Sequence, residues 1–296
     1  MKPLRVALVV KNSPSTRERE NRNMGWWSYA VPEFSWEHFW LGARPVNVER
    51  ELAGFDLIFH EDGGNWCHYE RQNIPVVFLS FDGTLSERHY QERLGVARQS
   101  NLVLVDHDRL ERFRGNGVPV RRFPYCVNER VYRPMEKTLD VSFHCGTGER
   151  KGFPGGAERN HLRRYLGEIC EQAGYSYRSG VLGLPEYAES MGRSKVIVNW
   201  PRTPTNRPHR IFDAMACGAA LLSRPLPPVP EDRRVAGVHY AVFDDLAELP
   251  EKLAWLLEGE RWQEIARAGH ELVMANHTWS IRAQELRAML YKELGL

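Results

Sequence analysis

Short apolar runs rich in β-branched residues recur along the N-terminal half of the chain. Arg5–Val10 (RVALVV), Asp56–His60 (DLIFH), Pro75–Ser80 (PVVFLS) and Asn101–Asp106 (NLVLVD) are each broken off by turn residues or a mixed polar–apolar stretch. None alternates cleanly, the pattern of strands covered on both faces in a parallel sheet. Between them, Trp36–Leu41 and Leu85–Gln99 have the composition of crossover helices. Strand–helix repetition of this kind predicts a doubly wound α/β unit.

The pattern breaks at Phe123–Pro134 (FPYCVNERVYRP), where prolines frame an irregular stretch. A second series follows: Asp140–Cys145, a helix over Glu158–Ala173, Tyr175–Ser179, a helix at Pro185–Arg193 and Lys195–Trp200. A short helix at Arg207–Cys217 and strands at Ala219–Ser223 and His239–Phe243 complete it. The reading is therefore α/β, with two Rossmann-like lobes facing a cleft: residues 1–134 and 135–296. From Asp244 the chain is helical. Leu246, Leu249, Leu253, Leu256 and Leu257, then Trp262, Ile265, Ala266, Leu272 and Val273, repeat at helical spacing and read as core. The last helix is expected to pack back toward the first lobe.

Composition narrows the function classes. With 296 residues the chain suits two ordinary domains or one large α/β domain. Forty Lys and Arg against 38 Asp and Glu leave a charge of +2, so no global field marks a nucleic-acid or membrane protein. Five Cys without a CxxC spacing argue against a disulfide framework or zinc site and fit a reducing cytoplasm. The apolar run near the N-terminus is too short for a signal-peptide core, and none reaches spanning length. Most of the cations are Arg, the fork-shaped donor that suits phosphate.

Ligands of open α/β sheets bind beyond the carboxyl ends of the strands. After Asp140–Cys145 comes Gly146-Thr147-Gly148-Glu149-Arg150-Lys151-Gly152, where bare backbone N–H groups and two cations can meet an anion. The spacing is neither G-x-G-x-x-G nor GxxxxGK[ST], so neither a dinucleotide fold nor a P-loop is supported. After Lys195–Trp200 comes Pro201–Arg210, with Arg202, Arg207, His209 and Arg210 crowding the entry to a short helix. Two cationic loops after neighbouring strands suit a diphosphate. A plain turn and solvated surface arginines are the alternative readings of the same residues.

The run Arg210-Ile-Phe-Asp213-Ala-Met-Ala-Cys-Gly218-Ala resembles the R-x-F-E-A-M-A-C-G segment of family-4-like glycosyltransferases of the GT-B fold, most closely the spore-maturation (CgeB-type) branch. Phe123-Pro124, Asn128 and Val131–Pro134 resemble that family's linker into the second lobe. Gly183-Leu184, Tyr187, Ser190, Ser194-Lys195 and Asn199 resemble its middle segment, and Ala268–His270 with His277-Thr278-Trp279 and Arg282 its ending.

The resemblance implies a glycosyltransferase that takes its sugar from a nucleotide diphosphate, a UDP- or GDP-sugar, with no further cofactor. In that reading Asp213 stands where the family's Glu binds the ribose. Gly146, Thr147, Arg150, Lys151, Asn206, Arg207 and Arg210 surround the diphosphate, Lys151 and Arg210 acting on the leaving group. Gly183 and Leu184 lie against the nucleobase. The family's earlier Glu falls on Thr205. Retention of configuration is implied, and no D-x-D cluster suggests a metal; Asp106-His107-Asp108 reads as a helix cap. Cations placed in advance stabilise the leaving phosphate most in the transition state.

The first lobe would hold the acceptor: a saccharide, a cell-envelope glycan or DNA, without integral membrane association. Asp62 after one strand and Asp82 after another offer carboxylates, Asp82 as a base, although Asp-Gly pairs also simply make turns. Arg17, Arg19 and Arg22 precede Trp26 and Trp27, an arrangement that suits stacking on sugar rings or bases. Trp36, Phe39 and Trp40 are equally explained as a helix face. Two alternatives stand beside the main reading: a DNA-base glycosyltransferase of the same fold, and a non-catalytic nucleotide-sugar-binding module.

Overall fold

The computed structural model describes residues 4–10, 34–40, 51–61, 69, 73–80, 87–106, 110–115, 117–146, 156–201 and 207–296. The chain divides into two units, Met1–Tyr125 with Trp279–Leu296, and Cys126–Thr278.

The first unit is built on β1 (Leu4–Val10), β2 (Phe34–Trp40), β3 (Leu57–Glu61), β4 (Val76–Ser80), β5 (Leu102–Val105) and β6 (Val120–Arg122). All pair in parallel in the order β2-β1-β3-β4-β5-β6. The apolar runs form the middle of this sheet, and every residue of β4 and β5 is buried. Helices α1 (Glu87–Ala97) and α2 (Leu110–Phe113) cover it, with Tyr90, Leu94 and Phe113 joining Val76, Phe78 and Val103 in one core. Leu85–Gln99 is thus helical over most of its length.

Trp36–Leu41 is not a helix. Residues Phe34–Trp40 pair with β1 in register, Val6 opposite Trp36. Phe34 points inward while Ser35 and Glu37 face out, and Arg5 on β1 reaches Glu37 at 2.9 Å. The helix-face explanation of Trp36, Phe39 and Trp40 falls with it: all three lie on an edge strand.

The second unit contains β7 (Leu139–Phe143), α3 (Gly156–Ala173), β8 (Tyr177–Ser179), α4 (Leu184–Arg193), β9 (Ser194–Asn199), α5 (Arg210–Ala216), β10 (Ala220–Ser223), β11 (Ala241–Val242), α6 (Leu249–Leu257) and α7 (Arg261–Asn276). Its strands are parallel in the order β11-β10-β9-β7-β8. The leucine stripe is core as its spacing predicts: Leu249, Leu253 and Leu256 are fully buried against Val196, Val198 and Leu222. Leu246, Leu257 and Trp262 are half-buried at its margin.

Two devices hold the helices to this sheet. Lys137 donates to the carbonyls of Gly192 and Cys217, at the carboxyl ends of α4 and α5, at 2.9 and 2.8 Å. A cation is favoured there by the helix dipoles, although burial lowers its pKa to about 8. The entering and leaving segments also meet, Val127 N–H donating to the His277 carbonyl at 2.8 Å. Beyond Thr278, α8 (Trp279–Leu294) belongs to the first unit, where Arg121 next to the end of β6 grips Glu293 with two hydrogen bonds of 2.9 and 3.0 Å. No described helix is long and apolar enough to cross a membrane.

Candidate active site

In the second unit the chain runs from β7 outward to β8, then back across to β9 on the other side of β7. The carboxyl ends of β7 and β9 therefore flank the topological switch point, where parallel α/β sheets bind ligands. His144, Cys145 and Gly146 follow β7 there, and Trp200 and Pro201 follow β9. Gly146 is exposed, with no atom within 4 Å of the place a Cβ would take.

Arg210 stands at the start of α5 and is 8% exposed. Its Nη1 donates to Asn199 Oδ1 at 2.9 Å, and its Nε is buried without a hydrogen-bond partner among the described residues. A buried donor left unmade costs about 1–3 kcal/mol, so the guanidinium is only partly satisfied by the described residues. Asn199 Nδ2 in turn donates to Ser223 Oγ at 2.9 Å.

His144, at the end of β7, is held between Gly180 and α4. Its Nδ1 lies 3.3 Å from the Gly180 carbonyl and its Nε2 2.8 Å from Ser190 Oγ. A carbonyl can only accept, which puts the proton on Nδ1 and leaves Nε2 to accept from the serine. Burial, with the charges of Arg210 and Arg178 against it, lowers its pKa to about 4.

Asp213 lies one turn beyond Arg210 on α5, 1% exposed, with His209 Nε2 3.8 Å from its Oδ2. Its charge contributes to pushing the buried Cys217 thiol upward, behind the dominant effect of burial. Arg207 is placed differently from Arg210. Its Nη2 is 2.5 Å from Asp232 Oδ1, and Arg234 grips Oδ2 of the same carboxylate at 2.6 and 2.9 Å. This group is buried, and His277 Nε2 donates to the Asp232 carbonyl at 2.9 Å while its ring stacks on Phe212 of α5. The Arg207 guanidinium therefore anchors the entrance of α5 to the fold.

Gly183 is the N-cap of α4, with Pro185 in the first turn, and is exposed; Leu184 turns into the core. Val181 beside them is 70% exposed, an apolar side chain in the loop expected to face the base. Trp200 is half-buried, with the Arg224 guanidinium 4.8 Å from its ring centre and its carbonyl accepting from Arg159 at 3.0 Å. His144, Ser223 and Arg224 carried no signal in the sequence beyond their place at strand ends.

Several expected site residues lie outside the described residues: Thr147, Arg150, Lys151, Thr205 and Asn206 of the two loops, and Trp26, Trp27, Asp62 and Asp82 of the first unit, together with Arg17, Arg19 and Arg22. Of Asp106-His107-Asp108, only Asp106 is described; it is buried and accepts the Tyr125 N–H at 2.7 Å. Among the described residues, no three metal-ligating side chains gather.

The fold has counterparts among solved structures. HepE (Alr3699) of Anabaena, in complex with UDP and glucose, aligns over 98% of this chain and 100% of its own, with TM-score 0.65 and 11% identity. Sucrose-phosphate synthase (tll1590) from Thermosynechococcus elongatus aligns over 98% and 99%, with TM-score 0.63 and 13% identity. A glycosyltransferase from Rickettsia africae aligns over 99% of both chains, with TM-score 0.61 and 8% identity. The two parallel sheets with their helices are therefore the GT-B fold. Residues 130–288, more than half of the chain, match the family described as glycosyl transferase-like, and this chain belongs to that family of glycosyltransferases. No curated protein sequence matches it.

Proposed function

We propose that the chain transfers a sugar from a nucleotide-diphosphate donor, with UDP the favoured nucleotide, and that the donor's diphosphate binds at the carboxyl ends of β7 and β9. One observation carries this placement. Arg210 is a buried guanidinium at the switch point, held by one nitrogen and with Nε unmatched among the described residues. A diphosphate oxygen is the acceptor such a group fits best. The UDP, UDP-glucose and UDP-plus-glucose complexes of HepE support uracil as the base.

In this reading Arg210 stabilises the negative charge that grows on the diphosphate as the glycosidic bond to the sugar breaks. Lys151 and Arg150 act beside it from the glycine-rich loop. Asp213 binds the ribose, and the exposed backbone at Gly183 meets the base. Supplied with these cations, the transfer proceeds without a metal and with retention of configuration, and the chain falls in the CgeB-type branch. The acceptor is a saccharide or an envelope glycan bound through the first unit.

The direct check is a thermal-shift panel of UDP-, GDP-, ADP- and TDP-sugars on the whole chain. A ligand bound only by the folded state raises the melting temperature by mass action, by about 2.7 kcal/mol of stability at a hundred times its Kd. A rise for UDP-sugars above the others is expected. No rise with any of the four at millimolar concentration would overturn the reading.

A further inference from the structure

We infer that Asn199 and Ser223 are positioning residues that aim the Arg210 guanidinium at the donor diphosphate, an inference that rests on the donor site proposed above. Both are fully buried, and they stand opposite each other in the parallel register of β9 and β10. Their side chains therefore leave the same face of the sheet.

The hydrogen-bond directions along this chain are forced. Ser223 Oγ has one proton and gives it to the Arg224 carbonyl at 2.8 Å. Toward Asn199, 2.9 Å away, it can only accept, so the amide must present Nδ2 to the serine. Oδ1 is then turned to Arg210, where it accepts from Nη1 at 2.9 Å. A flipped amide would set two donors, Nδ2 and Nη1, against each other at the arginine and two acceptors, Oδ1 and the serine Oγ, at the other end. The serine thus fixes the amide, and the amide fixes one corner of the planar guanidinium. With Nη1 held, the directions of Nε and Nη2 are fixed too. A support built from two central strands holds its geometry better than one built on loops. It also spends only one of the donors of Arg210.

The test measures dissociation constants for UDP and for uridine by calorimetry on the whole chain, or for GDP and guanosine if the wild type selects guanine. The variants are Arg210→Ala, Asn199→Leu, Ser223→Ala and the Asn199→Leu/Arg210→Ala double. Arg210→Ala is expected to weaken the diphosphate tenfold or more, Asn199→Leu about tenfold and Ser223→Ala about threefold, the scale of one charge-assisted bond lost or loosened. Nucleoside affinity should stay within about twofold throughout, and the double variant should bind no more weakly than Arg210→Ala. A residue that merely supported the fold would weaken nucleoside and diphosphate alike.

Full diphosphate affinity in Ser223→Ala, or losses that multiply in the double variant, would overturn the positioning role while leaving the donor site standing. Full affinity in Arg210→Ala would instead overturn the donor site beneath it. Ser223→Ala removes a single hydroxyl, so it decides the matter should Asn199→Leu fail to fold.

Discussion

Arg207 and Arg210 are three residues apart in one cationic run, and their surroundings separate them. Arg207 is paired with Asp232, 25 residues further on, a carboxylate it shares with Arg234. Arg210 faces the neutral amide of Asn199 and keeps its charge for the carboxyl edge of the sheet. Proximity in sequence made the two look alike. The difference lies in a buried carboxylate that no local spacing connects to them. Asn199 was legible only as part of a family-like pattern and Ser223 not at all, because a buried polar side chain at a strand end looks like any strand terminus. Two buried histidines make stability depend on pH. His60, packed between Tyr69 and Phe78, and His144 are both buried and have pKa values lowered to about 4. Unfolded, each would titrate near 6.5, so between pH 6.5 and 4 the unfolded chain binds more protons than the folded one. Stability therefore falls as pH drops through that window, by at most about 3 kcal/mol per histidine at roughly 1.4 kcal/mol per pKa unit. Urea unfolding from pH 7 to 4 should show this decline. His60→Gln and His144→Gln should each flatten it, and an equally steep decline in both would remove the histidines as its cause.

Elements were legible where burial is two-sided. Strands β3, β4, β5, β9 and β10 carry apolar runs whose residues are buried on both faces of the sheet, and such sequences admit little else. The edge strand β2 was misread. Its sequence, FSWEHFW, mixes aromatics with charge like a helix face, yet Phe34, Ser35, Trp36 and Glu37 alternate with period two, and aromatics suit a half-buried pleated surface. Strand β6 is only three residues long and too short to stand out. Helix α7 illustrates a constraint of packing rather than pattern. A Cβ on Gly269 would sit 2.9 Å from the His239 carbonyl oxygen and 3.1 Å from Met215 Cγ on α5. The helix approaches that closely because the position is bare. Gly269→Ala is expected to cost about 1–3 kcal/mol, as overpacking of a core does, and to lower the melting temperature without changing nucleotide selectivity. An unchanged melting temperature would mean that α7 can shift freely on α5.

At the scale of the whole molecule, the repetition of strand and helix in two series was enough to predict two α/β units. The structure places the division at Tyr125–Cys126 and counts Trp279–Leu296 with the first unit. The proposed donor side was the more legible half because the family-like motif Arg210–Ala219 forms and follows α5. The acceptor side rests on Trp26, Trp27, Asp62 and Asp82, which sequence spacing joins to no motif. Transfer supported by Arg and Lys alone implies that sugar-transfer activity survives EDTA. Loss of activity that Mn²⁺ or Mg²⁺ restores would assign the charge stabilisation to a metal instead. Isothermal titration of UDP-glucose into wild type and Arg210→Ala decides whether Arg210 receives the donor diphosphate. Affinity should weaken by roughly 1.5–3 kcal/mol, the range for a hydrogen bond to a charged group. Unchanged affinity in a variant that melts like the wild type would contradict the placement of the donor at this edge of the sheet.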